Sequence, residues 1–482
     1  MTNNTCIFIF HRDLRLSDNS GLIQAIKDGY TILPVFIFTR TQIDQQKNKY
    51  FSNNAVQFFC ESLVDLDSQI KKQGGDGILC LHGDNITVLE HLFKNVNNIK
   101  ALYCNEDYTQ YAQKRDHAIE MWCKKHDIYY KSAEDYGLLG LHEGLLDAGT
   151  EKKRPYLILA QFYRHFQQYL TVRKPEAFHG TFVKIANISI TDKVSIKDLG
   201  KFYEENPSIA VHGGRTNGLK QMEHIKTLKD YKKGRDYPAQ PKTSQMSGFL
   251  KFGCVSIREM YWYIRNLFGK DHALIRELVF RDFYLKIYSL RPELQRGVAL
   301  HEDLNKAIPW SYDKKLFKAW CDGRTGFPLV DAGMRQLNTI GLQHNRVRMI
   351  TSNILTKYFL IDWRLGERYF AQKLVDYDPA SNAMGWQWSS SVGPDAVPYF
   401  RYPFNPYVQS KKFDPDCEYI KKWLPELADV DPRDIHKWGD EKVKAKYTGI
   451  DYPAPLVDQK KASHRAVKIY KEAFEKSKKQ TG

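Results

Sequence analysis

The chain has 482 residues, 42% hydrophobic and 13% aromatic, which excludes a disordered protein and exceeds one ordinary core, so two domains are expected. Lysine and arginine number 72 against 56 acidic residues, a net charge of +16, and such an excess points to a polyanion, nucleic acid before membrane. The eight cysteines form no CxxC pair, the start lacks a basic stretch followed by an apolar core, and no apolar run approaches a membrane span. These features predict a soluble protein, cytoplasmic and associated with nucleoid or nucleus, with reduced thiols in its core; a monomer is expected, although no feature of the sequence fixes the oligomeric state.

In chain order, Thr5–Phe10, Thr31–Phe38, Gly77–Leu81, Ala101–Cys104 and Ile128–Lys131 read as buried strands. Helical stretches Asn19–Asp28, Ala55–Gln73 and Ile86–Lys94 lie between them. Strand–helix alternation predicts a doubly wound parallel sheet, an α/β Rossmann-like domain over residues 1–135. No GxGxxG follows the first strand; His11-Arg12-Asp13-Leu14-Arg15 stands there, which disfavours a dinucleotide held by a glycine fingerprint. Residues 136–205 carry Gly, Pro and charge clusters and read as a long connection with short helices. Residues 206–482 turn helical, with apolar residues at three- and four-residue intervals in Ile257–Leu267, Ala273–Leu290, Lys314–Asp322, Pro328–Thr339, Asn345–Phe359 and Gly366–Val375. Ser256 and Asp271 are expected N-caps. The tail from Pro455, with eight Lys/Arg against three Asp/Glu, is expected as an exposed, fraying basic helix.

Between Gln343 and Arg401 arginines, asparagines, aspartates and three tryptophans crowd together: Gln343-His-Asn345-Arg346-Val-Arg348-Met349, Asp362-Trp363-Arg364, Asp376-Tyr-Asp378, Asn382-Ala-Met-Gly-Trp386-Gln-Trp388. Arginine and asparagine suit phosphates and heterocycle edges, and indoles suit stacking or electron transfer. Burying so many charges without a ligand is costly unless each is paired. Thr243, Ser244 and Ser247 put hydroxyls at a helix start, which suits either a pyrophosphate or ordinary capping. Glu277 and Arg281, four apart on one helix face, read as an ion pair or a ligand contact. The histidines show no metal spacing, so no metal is expected.

Taken together, Arg12-Asp-Leu-Arg15, Thr243-Ser-x-x-Ser247, Glu277-x-x-Phe280-Arg281, Gly323-Arg-Thr-Gly-Phe-Pro328, His344-Asn-Arg-Val-Arg-Met349 and Gly385-Trp-Gln-Trp388 resemble the DNA photolyase/cryptochrome family over nearly the whole chain, most closely class I cyclobutane pyrimidine dimer photolyases. The resemblance implies an α/β antenna domain, a linker, and an all-α domain holding FAD. It places Tyr231, Thr243, Ser244, Ser247, Arg281, Asn345, Arg348, Asp376, Asp378 and Asn382 at FAD, with Arg348 paired to Asp376 and Asn382 facing the flavin N5. Glu277 and Met349 fall beside the lesion bases, Phe280 and Trp388 on the aromatic walls, and Arg346 and Arg401 toward DNA phosphates. Trp386, Trp363 and Trp310 match the indole chain that reduces the flavin under light; their spacing alone would leave them as core residues.

The resemblance implies light-driven repair of pyrimidine dimers in double-stranded DNA by an electron from reduced FAD. A flavin photoreceptor without repair is the alternative, and a DNA-binding protein using no light is a third reading. Met349, Trp388 and the lack of a histidine motif at the Met349 site favour dimer repair. Phe280 stands where relatives carry Trp, which predicts weaker lesion binding with repair retained, since stacking a base is worth about 1–3 kcal/mol. Tyr111 and Ala112 fall where folate-binding members are polar, so a folate antenna is disfavoured; a deazaflavin, a second flavin or an empty pocket stay open.

Overall fold

The computed structural model describes residues 4–147, 153–186, 188–395 and 404–481. Strands β1 (Thr5–Ile9), β2 (Thr31–Phe38), β3 (Leu79–His82), β4 (Ile99–Asn105) and β5 (Tyr129–Ala133) form one parallel sheet in the order β3-β2-β1-β4-β5. Helices α1 (Ser20–Lys27), α2 (Asn53–Lys72), α3 (Asn85–Asn95) and α4 (Gln110–Lys125) are the crossovers. The four N-terminal strands are continuous apolar runs because helices cover both faces of the sheet. Pro34 sits inside the central strand β2, where a missing N–H would break a ladder. Val35 bonds toward β1, so Pro34 faces the β3 side, and β3 pairs only from Val35 onward. The doubly wound α/β domain is therefore as predicted, with β2 unchanged and the ends of the other strands adjusted by at most two residues.

The connecting segment holds helix α5 (Leu159–Tyr169), a seven-residue 3₁₀ stretch (Ile196–Phe202) and a short antiparallel pairing of Leu146–Asp147 with Lys153–Arg154. It also extends the sheet, since Ile32 donates to the Thr181 carbonyl and His82 to that of Asp192. The helical half is built on α6 (Ile257–Phe268), α7 (Ala273–Leu290), α8 (Pro328–Ile340), α9 (Asn345–Asn353), α10 (Trp363–Lys373), α11 (Pro379–Ser389) and α12 (Gln459–Thr481). Ser256 caps α6 in a reciprocal box with Glu259. The cap of α7 is His272, whose ring accepts from the Leu274 N–H, and not Asp271; the helix starts one residue later than an Asp271 cap would require. The expected Asn345–Phe359 helix ends as α9 at Asn353 and continues as one π-helical turn through Tyr358. The tail is not an exposed fraying element: α12 buries Ala462, Ala466, Tyr470 and Ala473, and Arg465 donates to the Tyr358 carbonyl. All eight cysteines are buried free thiols, and no helix among the described residues is long and apolar enough to cross a membrane.

A buried ionic clamp joins the halves. Asp135, just past β5, accepts from Arg15 Nη2 at 2.7 Å and from Arg258 Nη2 of α6 at 2.7 Å. Arg258 Nε also reaches Asp18 at 2.8 Å. The loop before α6 comes so close that a side chain at Gly253, whose φ is +63°, would lie 2.3 Å from the Arg12 carbonyl; only glycine fits there.

Candidate flavin and nucleic-acid site

Helix α11 packs against α7, α9 and α10, and this convergence gathers most of the polar residues singled out above. Arg348 on α9 is held by Asp376, with Nη2 3.2 Å from each carboxylate oxygen, and its Nε donates to the Gln343 carbonyl at 2.8 Å. Asp378 caps α11 by accepting from the Ser381 N–H at 2.8 Å. Its other oxygen accepts from the Tyr136 hydroxyl at 2.6 Å and faces Arg12 Nη1 at 3.4 Å. These cations and Lys251 hold the Asp378 carboxyl far below the usual carboxylate range, while burial among cations pushes Lys251 down to about 7.

Glu277 and Arg281 do not pair. Glu277 is bonded to Arg235, and Arg281 donates to the Tyr136 carbonyl at 2.9 Å with its guanidinium 4.0 Å from that ring. The i, i+4 geometry is present, but Glu277 pairs within the helical half and Arg281 reaches Tyr136 of the connecting segment. Thr243 and Ser244 do not cap the helix beginning at Ser247, whose N-cap is Met246 with no side-chain bond; ordinary capping is excluded. Asn345 and Ser247 are exposed, Tyr231 buried.

Along one rim, Arg346 Nη2 meets Asp236 at 2.6 Å, Nη1 lies 3.7 Å from Met349 Sδ, and the guanidinium sits 4.4 Å over Phe413. Exposed Lys232, Lys233, Lys411 and Lys412 flank this rim. Phe280 is half-buried against Tyr284, 4.6 Å between ring centres, and Trp388 is half-buried as well. Arg401 lies outside the described residues.

The tryptophans sit on the other side of α11. Trp386 packs edge-on against Phe370 at 5.1 Å, and a side chain at Gly366 would lie 2.3 Å from its ring. Trp363 and Trp310 both donate their indole N–H to Asn305.

The donor set fits an acceptor-rich cofactor. Arg281 Nη2, Arg346 Nε, His344 Nε2 and Gln343 Nε2 are buried without a hydrogen-bond partner, a costly condition without a ligand. His344 is pushed down to about 4 by burial beside Arg346 and accepts at Nδ1 from the Arg346 N–H, so its Nε2 carries the proton. A side chain at Gly385 of α11 would meet nothing within 4 Å, so open space lies beside this helix.

Sequence reading missed Glu367, Tyr136, Arg235 and Asp236. Asn382 Nδ2 donates to the Glu367 carboxylate at 2.9 Å and to its carbonyl at 3.0 Å. Burial pushes the Glu367 carboxyl up to about 7. These residues come from other elements, and no local pattern marks them. A second polar crevice opens where β1 and β4 diverge, the switch point of the sheet. It is lined by His11, Arg12, Asn105, Asp107, Asp135 and Tyr136. His11 Nε2, Arg12 Nε and Arg115 Nη2 are buried there without partners. Here folding also brings His11, Cys104 and Asp116 within 4.8 Å of one another, although Arg115 occupies Asp116 at 2.7 Å.

Comparison with known proteins places these features in context. Residues 6–179 match the family model described as DNA photolyase, and residues 274–472 match the FAD binding domain of DNA photolyase. The chain is 35% identical to a deoxyribodipyrimidine photo-lyase of Alkalihalophilus pseudofirmus, covering 96% of this chain and 97% of that one. It superposes on the archaeal photolyase of Sulfolobus tokodaii, crystallised with two FAD molecules, with a TM-score of 0.83 at 35% identity over 97% and 99% of the two chains. A Synechocystis cryptochrome superposes with a TM-score of 0.85 at 27% identity, over 97% and 100%.

Proposed function

The chain belongs to the DNA photolyase family, and from that premise we propose that it repairs cyclobutane pyrimidine dimers in double-stranded DNA under blue light, acting as a monomer. The carrying observation is the set of buried, partnerless donors around α9 and α7 beside a basic rim. When bound, reduced FAD supplies an electron under light and takes it back after the dimer splits.

The chain's own residues bind, orient and exclude. Arg281, Arg348, Asn345 and the Thr243–Ser247 segment hold the cofactor, with Tyr231 closing one side. Asp376 fixes Arg348, and Asp378, locked by Tyr136 and Arg12, cannot take up a proton near neutral pH. Asn382 presents its amide to the isoalloxazine ring, oriented by Glu367. Glu277, Met349, Phe280 and Trp388 form the lesion pocket, which a poorly stacked dimer enters at lower cost than intact bases. Trp386, Trp363 and Trp310 carry electrons inward to restore the reduced cofactor. The orphaned donors at the switch point support a second, acceptor-bearing chromophore there, of flavin or deazaflavin type. Residues 1–135 form the antenna unit, 136–205 the linker and 206–482 the catalytic unit.

Loss of dimers from ultraviolet-irradiated DNA in blue light, with none lost in the dark, is the expected result. A flavin-loaded, reduced protein that leaves dimers intact in light turns the reading to the photoreceptor.

Three variants probe the rim and the pocket. Arg346→Ala should weaken binding to all DNA and lower the salt dependence of log K by about one unit. Asp236→Asn, which frees Arg346 from its carboxylate, should tighten binding; both are read by fluorescence anisotropy at several salt concentrations. Phe280→Trp should strengthen lesion binding by up to about tenfold, the lower part of the 1–3 kcal/mol range for stacking a base. Unchanged affinity for a dimer-containing duplex would mean that Phe280 does not line the pocket.

A further inference from the structure

Asn305 sits on the short helix Glu302–Ala307 and is 3% exposed. Its Oδ1 accepts from Trp310 Nε1 at 3.2 Å and from Trp363 Nε1 at 3.2 Å. Its backbone carbonyl takes a second share of the Trp310 N–H at 3.1 Å. The amide nitrogen donates to Glu302 Oε2 at 3.3 Å, and that oxygen is fixed by the Ala299 N–H at 2.8 Å. One oxygen atom thus orients two indoles that lie five and fifty-eight residues away in sequence.

We propose that Asn305 is a positioning residue for light-driven electron entry, a shared acceptor that lets positive charge pass between Trp363 and Trp310 without proton loss. The proposal rests on the reading of Trp386, Trp363 and Trp310 as the electron path. An indole that has lost an electron becomes a strong N–H acid. A carboxamide oxygen stabilises that cation through its hydrogen bond but is too weak a base to take the proton. Glu302, accepting from the amide nitrogen, polarises the carbonyl and strengthens both bonds. Bound oxidised flavin would supply the light-driven electron acceptor. Within the indole chain one electron moves per step with no bond made or broken: Trp386 is refilled from Trp363 and Trp363 from Trp310. Trp310 is refilled by an external thiol, which releases its proton to water and leaves as a thiyl radical, two of which couple to a disulfide. The outward direction of the charge is built in as well. Trp363 is 2% exposed, whereas Trp310 is half-exposed to water, which stabilises a cation better than the buried site does.

The test uses the flavin-loaded protein with Asn305→Leu and the near-isosteric Asn305→Asp. In the dark, the indole N–H resonances of Trp310 and Trp363 should both move upfield in Asn305→Leu. After a blue flash, the yield of oxidised Trp310 should fall about fivefold, the rate equivalent of one ordinary hydrogen bond. In Asn305→Asp the carboxylate can accept the proton, so deprotonated tryptophan radical should form earlier than in the unaltered protein; a purely structural role would not produce that change. Resonances and radical kinetics unchanged in both variants would overturn the proposal. Trp310→Phe separates the premise: if it leaves light-driven flavin reduction intact, the path reading itself is wrong, whatever Asn305 does.

Discussion

Asp135→Ala should remove about 3–5 kcal/mol of stability, the usual cost of leaving buried charges without their partner. The carboxylate is buried and accepts from Arg15, Arg258 and Ser20, the last through both its N–H at 3.1 Å and its hydroxyl at 2.7 Å. Removing it leaves the Arg15 guanidinium with no carboxylate, only the Gly253 and Asp18 carbonyls, in the seam between the sheet and α6. Arg258 loses one of two carboxylates and keeps that of Asp18 together with the carbonyls of residues 18, 135 and 137. Asp135→Asn preserves shape and one acceptor and should lose less. Urea unfolding followed by both fluorescence and flavin release is the measurement; a loss under about 1 kcal/mol would mean that water replaces the carboxylate. The pH behaviour has a definite sign. Arg15 and Arg258 outweigh burial and hold the Asp135 carboxyl well below its ordinary value. A depressed carboxylate stabilises the fold above the unfolded-state pKa and loses that contribution as pH falls beneath it. Wild type should therefore weaken in acid, and the alanine variant should lack this component of the acid sensitivity.

What could be read from the sequence divides along a physical line. Runs such as Thr31–Phe38 and the three- and four-residue spacing of Ala273–Leu290 reflect local burial, and these elements stand where the pattern put them. Where a boundary depends on the next element, pattern fails. Nothing in Asn345–Phe359 announces that the helix loosens into a π turn at Ile354, where Lys357 is buried with its ammonium group over Tyr470. The tail composition suggested a solvated helix because charges outnumber apolar residues, yet Ala462, Ala466, Tyr470 and Ala473 recur on one docked face. At the site, motif residues such as Arg348 and Asp378 were visible through resemblance. The supports of Asp378 were not, because Tyr136 and Arg12 reach it from 242 and 366 residues away in the chain. Long-range pairing leaves no periodic trace.

Glu367 carries the second large effect. Burial raises its carboxyl from an ordinary 4.5 to about 7, and the Asn382 hydrogen bond, Arg368 and Lys49 pull it down too weakly to compensate. A carboxyl whose pKa is raised on folding stabilises the native state while protonated. That contribution is complete below about pH 4.5 and is lost as pH rises through 7, a total of about 3 kcal/mol. Glu367→Gln removes the titration while keeping an acceptor oxygen for Asn382 Nδ2. The variant should match wild type near pH 4 and exceed it at pH 8, by up to about 3 kcal/mol in urea unfolding. Identical pH slopes for the two proteins would show that Glu367 is solvated or otherwise compensated. The same substitution reports on the flavin site. Above pH 7 the ionised carboxylate accepts from Asn382 and fixes the direction of its amide; below pH 7 the protonated acid competes as a donor. Flavin absorbance in wild type should change with a midpoint near 7, and Glu367→Gln should abolish that change between pH 6 and 8 if Asn382 faces the ring as proposed.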